Sequence, residues 1–152
     1  MTDTPPAVPD LRLVVGYDGS PPASRALDAA VRLLQGRTGH LTVVYVAHIP
    51  SVVELSADAV GELEQNFDEV ERELKDQARQ QLQDFAQGWG FERRAGLVTE
   101  ELMAAASQVE AAHPGDTVVT VVGSSSALAH RMVGSAAVGL ARHSRVPLVI
   151  VP

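Results

Sequence analysis

Short apolar runs alternate with amphipathic stretches along this chain. Leu11 to Tyr17 (LRLVVGY) is a strand-like run closed by the turn signal Asp18-Gly19. Ser20 then stands as an N-cap with Pro21 at the first helical position, where its missing N–H costs nothing. Ala23, Ala26, Leu27, Ala30, Val31 and Leu34 recur at helical spacing until Gly36. Leu41 to Ala47 (LTVVYVA) predicts a second buried strand, and His48 to about Ala57 a connecting loop. The spacing predicts a long helix over Ala59–Gln87, with Leu63, Phe67, Val70, Leu74, Ala78, Leu82 and Phe85 inward and a polar outer face. Gly88 and Gly90 are read as its stop. Phe91 to Val98 predicts a third strand, at an edge because Glu92, Arg93 and Arg94 are charged. Thr99 is read as the cap of a helix ending at Ala112, and Thr117 to Val122 as the fourth strand. A last helix over Arg131 to His143, with Met132, Ala136 and Leu140 inward, leads to a fifth strand over Val146 to Val151.

Strands that alternate with helices pair in parallel, and near-continuous apolar runs belong to a sheet covered on both faces. The expectation is an α/β protein with one doubly wound five-stranded parallel sheet. Residues 11–152 form one domain, and residues 1–10 (MTDTPPAVPD), with three prolines, a loose tail. Open sheets of this kind bind ligands outside the C-terminal strand ends, where the strand order reverses. In the order 3-2-1-4-5 that point lies between the first and fourth strands, followed by Asp18-Gly19-Ser20 and Gly123-Ser124-Ser125-Ser126.

Composition narrows the chemistry. No apolar run approaches the roughly 18 residues of a membrane span, and the N-terminus has neither the basic nor the apolar region of a secretory signal. There is no cysteine, hence no disulfide, thiolate ligand or cysteine nucleophile. These features point to the cytoplasm, with no membrane partner. A net charge of −7 opposes nonspecific nucleic-acid binding. Lys75 is the only lysine, inside a polar helical stretch, so lysine-dependent phosphate and Schiff-base chemistries have no other candidate. An anion would have to meet backbone N–H groups, a helix N-terminus or an arginine. The five histidines show no paired helical spacing, so no metal site is assigned.

VVGYDGS near the start, TVVYVAH after the first helix and VVGSSS…GSAAVGLARHSRVPLVIVP at the end resemble the universal stress protein family. The likeness runs from about Leu11 to Pro152. It implies the fold of the adenine-nucleotide alpha-hydrolase group, with the strand order 3-2-1-4-5, and a site for ATP or AMP, with magnesium only alongside nucleotide. In nucleotide-binding members the residue at the position of Asp18 faces the nucleoside, Gly16 and Tyr17 line the pocket, and Val46 meets adenine through its backbone. The family's phosphate loop is G-x-x-G, nine residues, then G-(S/T). Gly123, Gly134 and Ser135 fit it, followed by Ala136, with Ser124 in the loop and Arg131 the nearest basic side chain. Ser126 replaces the second glycine, and only the seven residues Ala127 to Val133 precede Gly134. A serine resists the close approach and positive φ that glycine permits. Weak or absent ATP binding is therefore the expectation.

Each feature also has a plainer reading. Asp18 suits a turn, Ser20 a cap, Gly123 to Ser126 a polar loop, and Gly134-Ser135 a packing contact with a cap. No serine has an evident base, Gly134 to Gly139 lacks the lysine of a P-loop, and the acids from Glu62 to Asp76 suit a solvated helix face. Three functions follow. The first is a stress-response module that binds an adenine nucleotide or a partner protein. The second is a dimeric interaction protein without ATP. The third is a slow ATPase or phosphotransferase, ranked last because no general base is evident. Val146 to Val151, apolar at an edge, predicts a homodimer by antiparallel pairing with a second copy.

Overall fold

The computed structural model describes residues 4–48, 56–124 and 135–152, without the side chain of residue 135. Nine elements follow in order: β1 (Leu11–Gly16), α1 (Pro21–Leu33), β2 (Gly39–Ala47), α2 (Ala57–Gln81), β3 (Gly88–Ala95), α3 (Val98–Ala112), β4 (Thr117–Gly123), α4 (Ser135–His143) and β5 (Leu148–Val151). The strands form one sheet in the order β3-β2-β1-β4-β5, and every neighbouring pair is parallel. This is the predicted doubly wound topology.

Alternate residues of a strand face opposite sides, which divides the core in two. Leu13, Val15, Leu41 and Val43 pack with Leu27 and Leu34 of the α1 region and with Leu74 of α2. Val14, Val44, Val118 and Val122 pack with Leu102 of α3 and Leu140 of α4. Both strand faces are covered, so the sequence shows apolar runs rather than alternation. Among the described residues, no helix is long and apolar enough to cross a membrane.

β5 begins at Leu148 rather than Val146, β3 ends at Ala95 rather than Val98, and three further features differ from expectation. α2 ends at Gln81, and Gly88 and Gly90 belong to β3, paired with His40 and Thr42. The cause is Gln87, whose Nε2 donates to the carbonyls of Leu34 and Arg37 while its Oε1 accepts from Gly39 N–H at 2.8 Å. This clamp fixes the start of β3, and Trp89 and Phe91 then pack onto the α1–α2 side of the core. Secondly, Leu97, not Thr99, is the N-cap of α3, with no side-chain cap bond. Gly96 donates to the Ala47 carbonyl at 3.0 Å and turns the chain early. Thr99 therefore lies within the first turn, against Gly139 of α4. Thirdly, within α2 only Leu74 and Ala78 are buried, joined by its C-cap Leu82. Leu63 and Phe67 are half-buried and Val70 is exposed, so the inward stripe is covered only at its C-terminal end. The predicted helix start at Arg131 and the inward Met132 lie outside the described residues.

Candidate functional site

β1 and β2 run side by side up to the Gly16–Val44 pair, where Tyr17 N–H still donates to the Val44 carbonyl at 2.8 Å. Beyond that point β1 turns away and β2 continues beside β3. Asp18-Gly19 makes the turn. Gly19 has φ +76, and a Cβ there would lie 2.5 Å from Leu74 Cδ2, so both backbone and space call for glycine. Asp18 Oδ1 accepts from Ser20 N–H at 3.0 Å, and Ser20 Oγ accepts from Ala23 N–H at 3.3 Å, starting α1. Ser20 is thus the cap that the sequence predicts.

The divergence leaves a gap outside the strand ends. In a strand, backbone groups two residues apart point the same way. The Val44 carbonyl faces β1 and the Ala47 carbonyl accepts from Gly96 on the β3 side. The N–H and C=O of Val46 therefore face the side that β1 has vacated. On the far side of β1, β4 ends at Gly123 close against the start of α1. A Cβ on Gly123 would fall onto the Pro22 carbonyl, so only glycine allows this approach.

A cavity of about 320 Å³ fills the gap. Its wall includes Gly16, Tyr17, Asp18, Val46, Gly123 and Ala136, six of the eleven residues singled out from the sequence. Ser124 is not in that wall, and its N–H is engaged by the Val151 carbonyl at 2.7 Å. Ser126, Arg131 and Gly134 lie outside the described residues, and Ser135 enters only as the first residue of α4. Sequence reasoning missed Val98 and Leu102 of α3, with Val44 and Val122 of the sheet, which give the cavity an apolar wall. Nothing in the sequence separates such residues from ordinary core positions.

Asp18 is exposed, and its second carboxylate oxygen has no partner among the described residues. Tyr17 is buried beside it; burial, and then the Asp18 charge, push the phenol above its usual pKa of 10.0 and keep it neutral. Among the described residues, no three His, Asp or Glu side chains converge as metal ligands. The arrangement combines an apolar slot, an open strand backbone and one carboxylate. It can bind a flat polar ring system with a hydroxyl-bearing group beside it.

The fold recurs in solved structures. Universal stress protein UspA from Lactobacillus plantarum matches with a TM-score of 0.78 at 22% identity, over 96% of this chain and 100% of that one. A universal stress protein in complex with cAMP matches at 0.64 and 24% identity, over 93% and 97%. A family protein from Arabidopsis thaliana with AMP bound matches at 0.58 and 12% identity, over 93% and 90%. No curated protein matches the chain significantly. The family model described as "Universal stress protein family" matches residues 11–152, every described strand and helix included, and the chain belongs to that family.

Proposed function

We propose that the cavity between the ends of β1 and β4 binds the nucleoside part of an adenine nucleotide, and that the protein is a stress-response module governed by that ligand. The observation that carries this reading is the cavity itself. It sits where the strand order reverses, with the Val46 backbone and the Asp18 carboxylate both opening toward it. Its volume of about 320 Å³ is near the lower end of the roughly 300–1,000 Å³ of small-molecule sites. That accommodates a nucleoside. Adenine fits the apolar slot against Val98 and Leu102, with the Val46 backbone reading its edge. Ribose hydroxyls donate to the free oxygen of Asp18. Two relatives of the same fold hold cAMP and AMP, which supports this ligand class.

The phosphates are a different matter. Charge-assisted bonds to an oxyanion need donors at about 2.7–2.9 Å. The loop has serine at position 126 and two residues fewer than the family pattern before Gly134. The N–H of Ser124 is already engaged by β5. AMP or adenosine is therefore the expected ligand, and ATP with magnesium gains little from its extra phosphates. Melting in the presence of each ligand tests this reading. AMP raises the midpoint and ATP with magnesium raises it no further; no shift with any adenine ligand rejects the site.

We also propose a homodimer through β5. Among the described residues β5 pairs only with β4, leaving its outer edge open, and Ile150 is 40% exposed. Antiparallel pairing with a second copy closes that edge. Sedimentation tests it: the wild-type chain sediments as a dimer and Ile150→Lys as a monomer. A wild-type monomer at micromolar concentration contradicts it.

A further inference from the structure

Among the described residues, the first half of α2 carries an apolar face that is only partly covered. At 3.6 residues per turn, Val60, Leu63, Phe67, Val70, Leu74 and Ala78 fall within an arc of about 80°. They form one stripe. At its C-terminal end the fold covers it, and Leu74 and Ala78 are buried. At its N-terminal end the stripe is open: Val60 is 42% and Val70 38% exposed, with Leu63 and Phe67 half-buried between them.

The borders of the open part are acidic. Residues 57–70 contain Asp58, Glu62, Glu64, Asp68 and Glu69 and no basic residue. On the helical projection Glu64 borders the stripe on one side with Asp68 beyond it, and Glu62 and Glu69 lie about 80–100° past its other edge. Among the described residues, only Asp68 of these five has an ion-pair partner, Arg93 of β3 at 2.6 Å, which also holds Glu71 at 3.0 Å. The bond to Asp68 above all, with the Glu71 charge, pushes the Arg93 pKa up. Asp58 lies on the opposite face, and Glu62, Glu64 and Glu69 have no ion-pair partner among the described residues.

We propose that this face, from Val60 to Val70, is a docking surface for a basic amphipathic helix of a partner protein. Its apolar residues would lie along the stripe, and its long Lys and Arg side chains would reach past the edges to these carboxylates. The charge pattern selects this occupant. A second copy would set the same carboxylates against this face, so it repels here. An anionic lipid surface or a nucleic acid repels for the same reason.

The test uses the full chain and synthetic peptides read by fluorescence anisotropy. One peptide has leucines at helical spacing flanked by lysine and arginine. A second has the same composition scrambled so that the stripe is lost. A third carries glutamate in place of the basic residues. The first binds, with affinity falling as salt rises, and the other two bind at least about tenfold more weakly. Leu63→Ser with Phe67→Ser weakens the first peptide about tenfold. Val60→Ser with Val70→Ser, at positions already exposed, gives the same direction with folding intact. Glu62→Gln with Glu69→Gln weakens binding and flattens its salt dependence. Equal binding of the scrambled peptide, or indifference to the Val60 and Val70 pair, overturns the proposal. So does a fall in the sedimenting mass of the chain alone in either serine pair, which makes a second copy the occupant.

Discussion

The two ends of the sheet follow opposite plans. At the N-terminal end the polar groups are matched within the chain. Arg12 Nε donates to Asp116 at 2.7 Å, Leu11 N–H to the Thr38 carbonyl, and Thr117 N–H to the Asp10 carbonyl. Gln87 answers three backbone groups from a single side chain. At the C-terminal end β1 and β2 part after Gly16, and the Val46 backbone and one Asp18 oxygen open onto a cavity. One end closes the fold, and the other leaves polar groups open among the described residues, where the proposed ligand would sit. Stability and binding should therefore respond separately to mutation.

Paired glycines give the largest test. A Cβ at Gly39 would fall onto the Leu11 carbonyl, and one at Gly123 onto the Pro22 carbonyl. Alanine at either site forces backbone apart and is expected to cost about 2–3 kcal/mol, measured by urea denaturation. Only Gly123→Ala should also abolish AMP binding. Loss of AMP binding in a folded Gly39→Ala protein would break the separation. The next effect is Gln87→Ala, which strips partners from Gly39 N–H and from the Leu34 and Arg37 carbonyls. The expected loss is about 2 kcal/mol, with AMP affinity unchanged.

The smallest effect is on pH. Burial, then the charges of Arg12 and His113, hold the His40 imidazole below its ordinary 6.5. The folded state thus favours the neutral ring relative to the unfolded chain. The contribution of His40 is present above about pH 6.5 and is lost as pH falls through the lower folded value. His40→Gln should flatten the decline of the melting midpoint between about pH 7 and about pH 5. An unchanged slope would remove His40 from the account.

How far the sequence reveals this design varies by region. β1, β2 and β4 are legible because both of their faces are buried and their residues are almost all apolar. β3 is harder: GWGFERRA joins two glycines, which read as a helix stop, to three charges. Its start depends on Gln87, whose partners are remote in sequence. The α2 stripe is legible as a stripe, but where the core ends beneath it is a property of the sheet. Of the cavity wall, Gly16, Tyr17, Asp18, Val46, Gly123 and Ala136 are singled out through family resemblance. Val98 and Leu102 escape notice because an apolar cavity wall and a packed core use the same residues.

The most direct test of the account is calorimetry with adenosine, AMP and ATP with magnesium, on the wild-type chain and on Asp18→Ala. Asp18 is exposed, and among the described residues its side chain accepts one bond, from Ser20. Its removal should leave stability within about 0.5 kcal/mol while weakening AMP about tenfold, or about 1.4 kcal/mol. The account predicts that adenosine and AMP bind, that ATP binds no tighter than AMP, and that Asp18→Ala weakens all three. Tight ATP binding that falls steeply as phosphates are removed, or binding indifferent to Asp18→Ala, would contradict it.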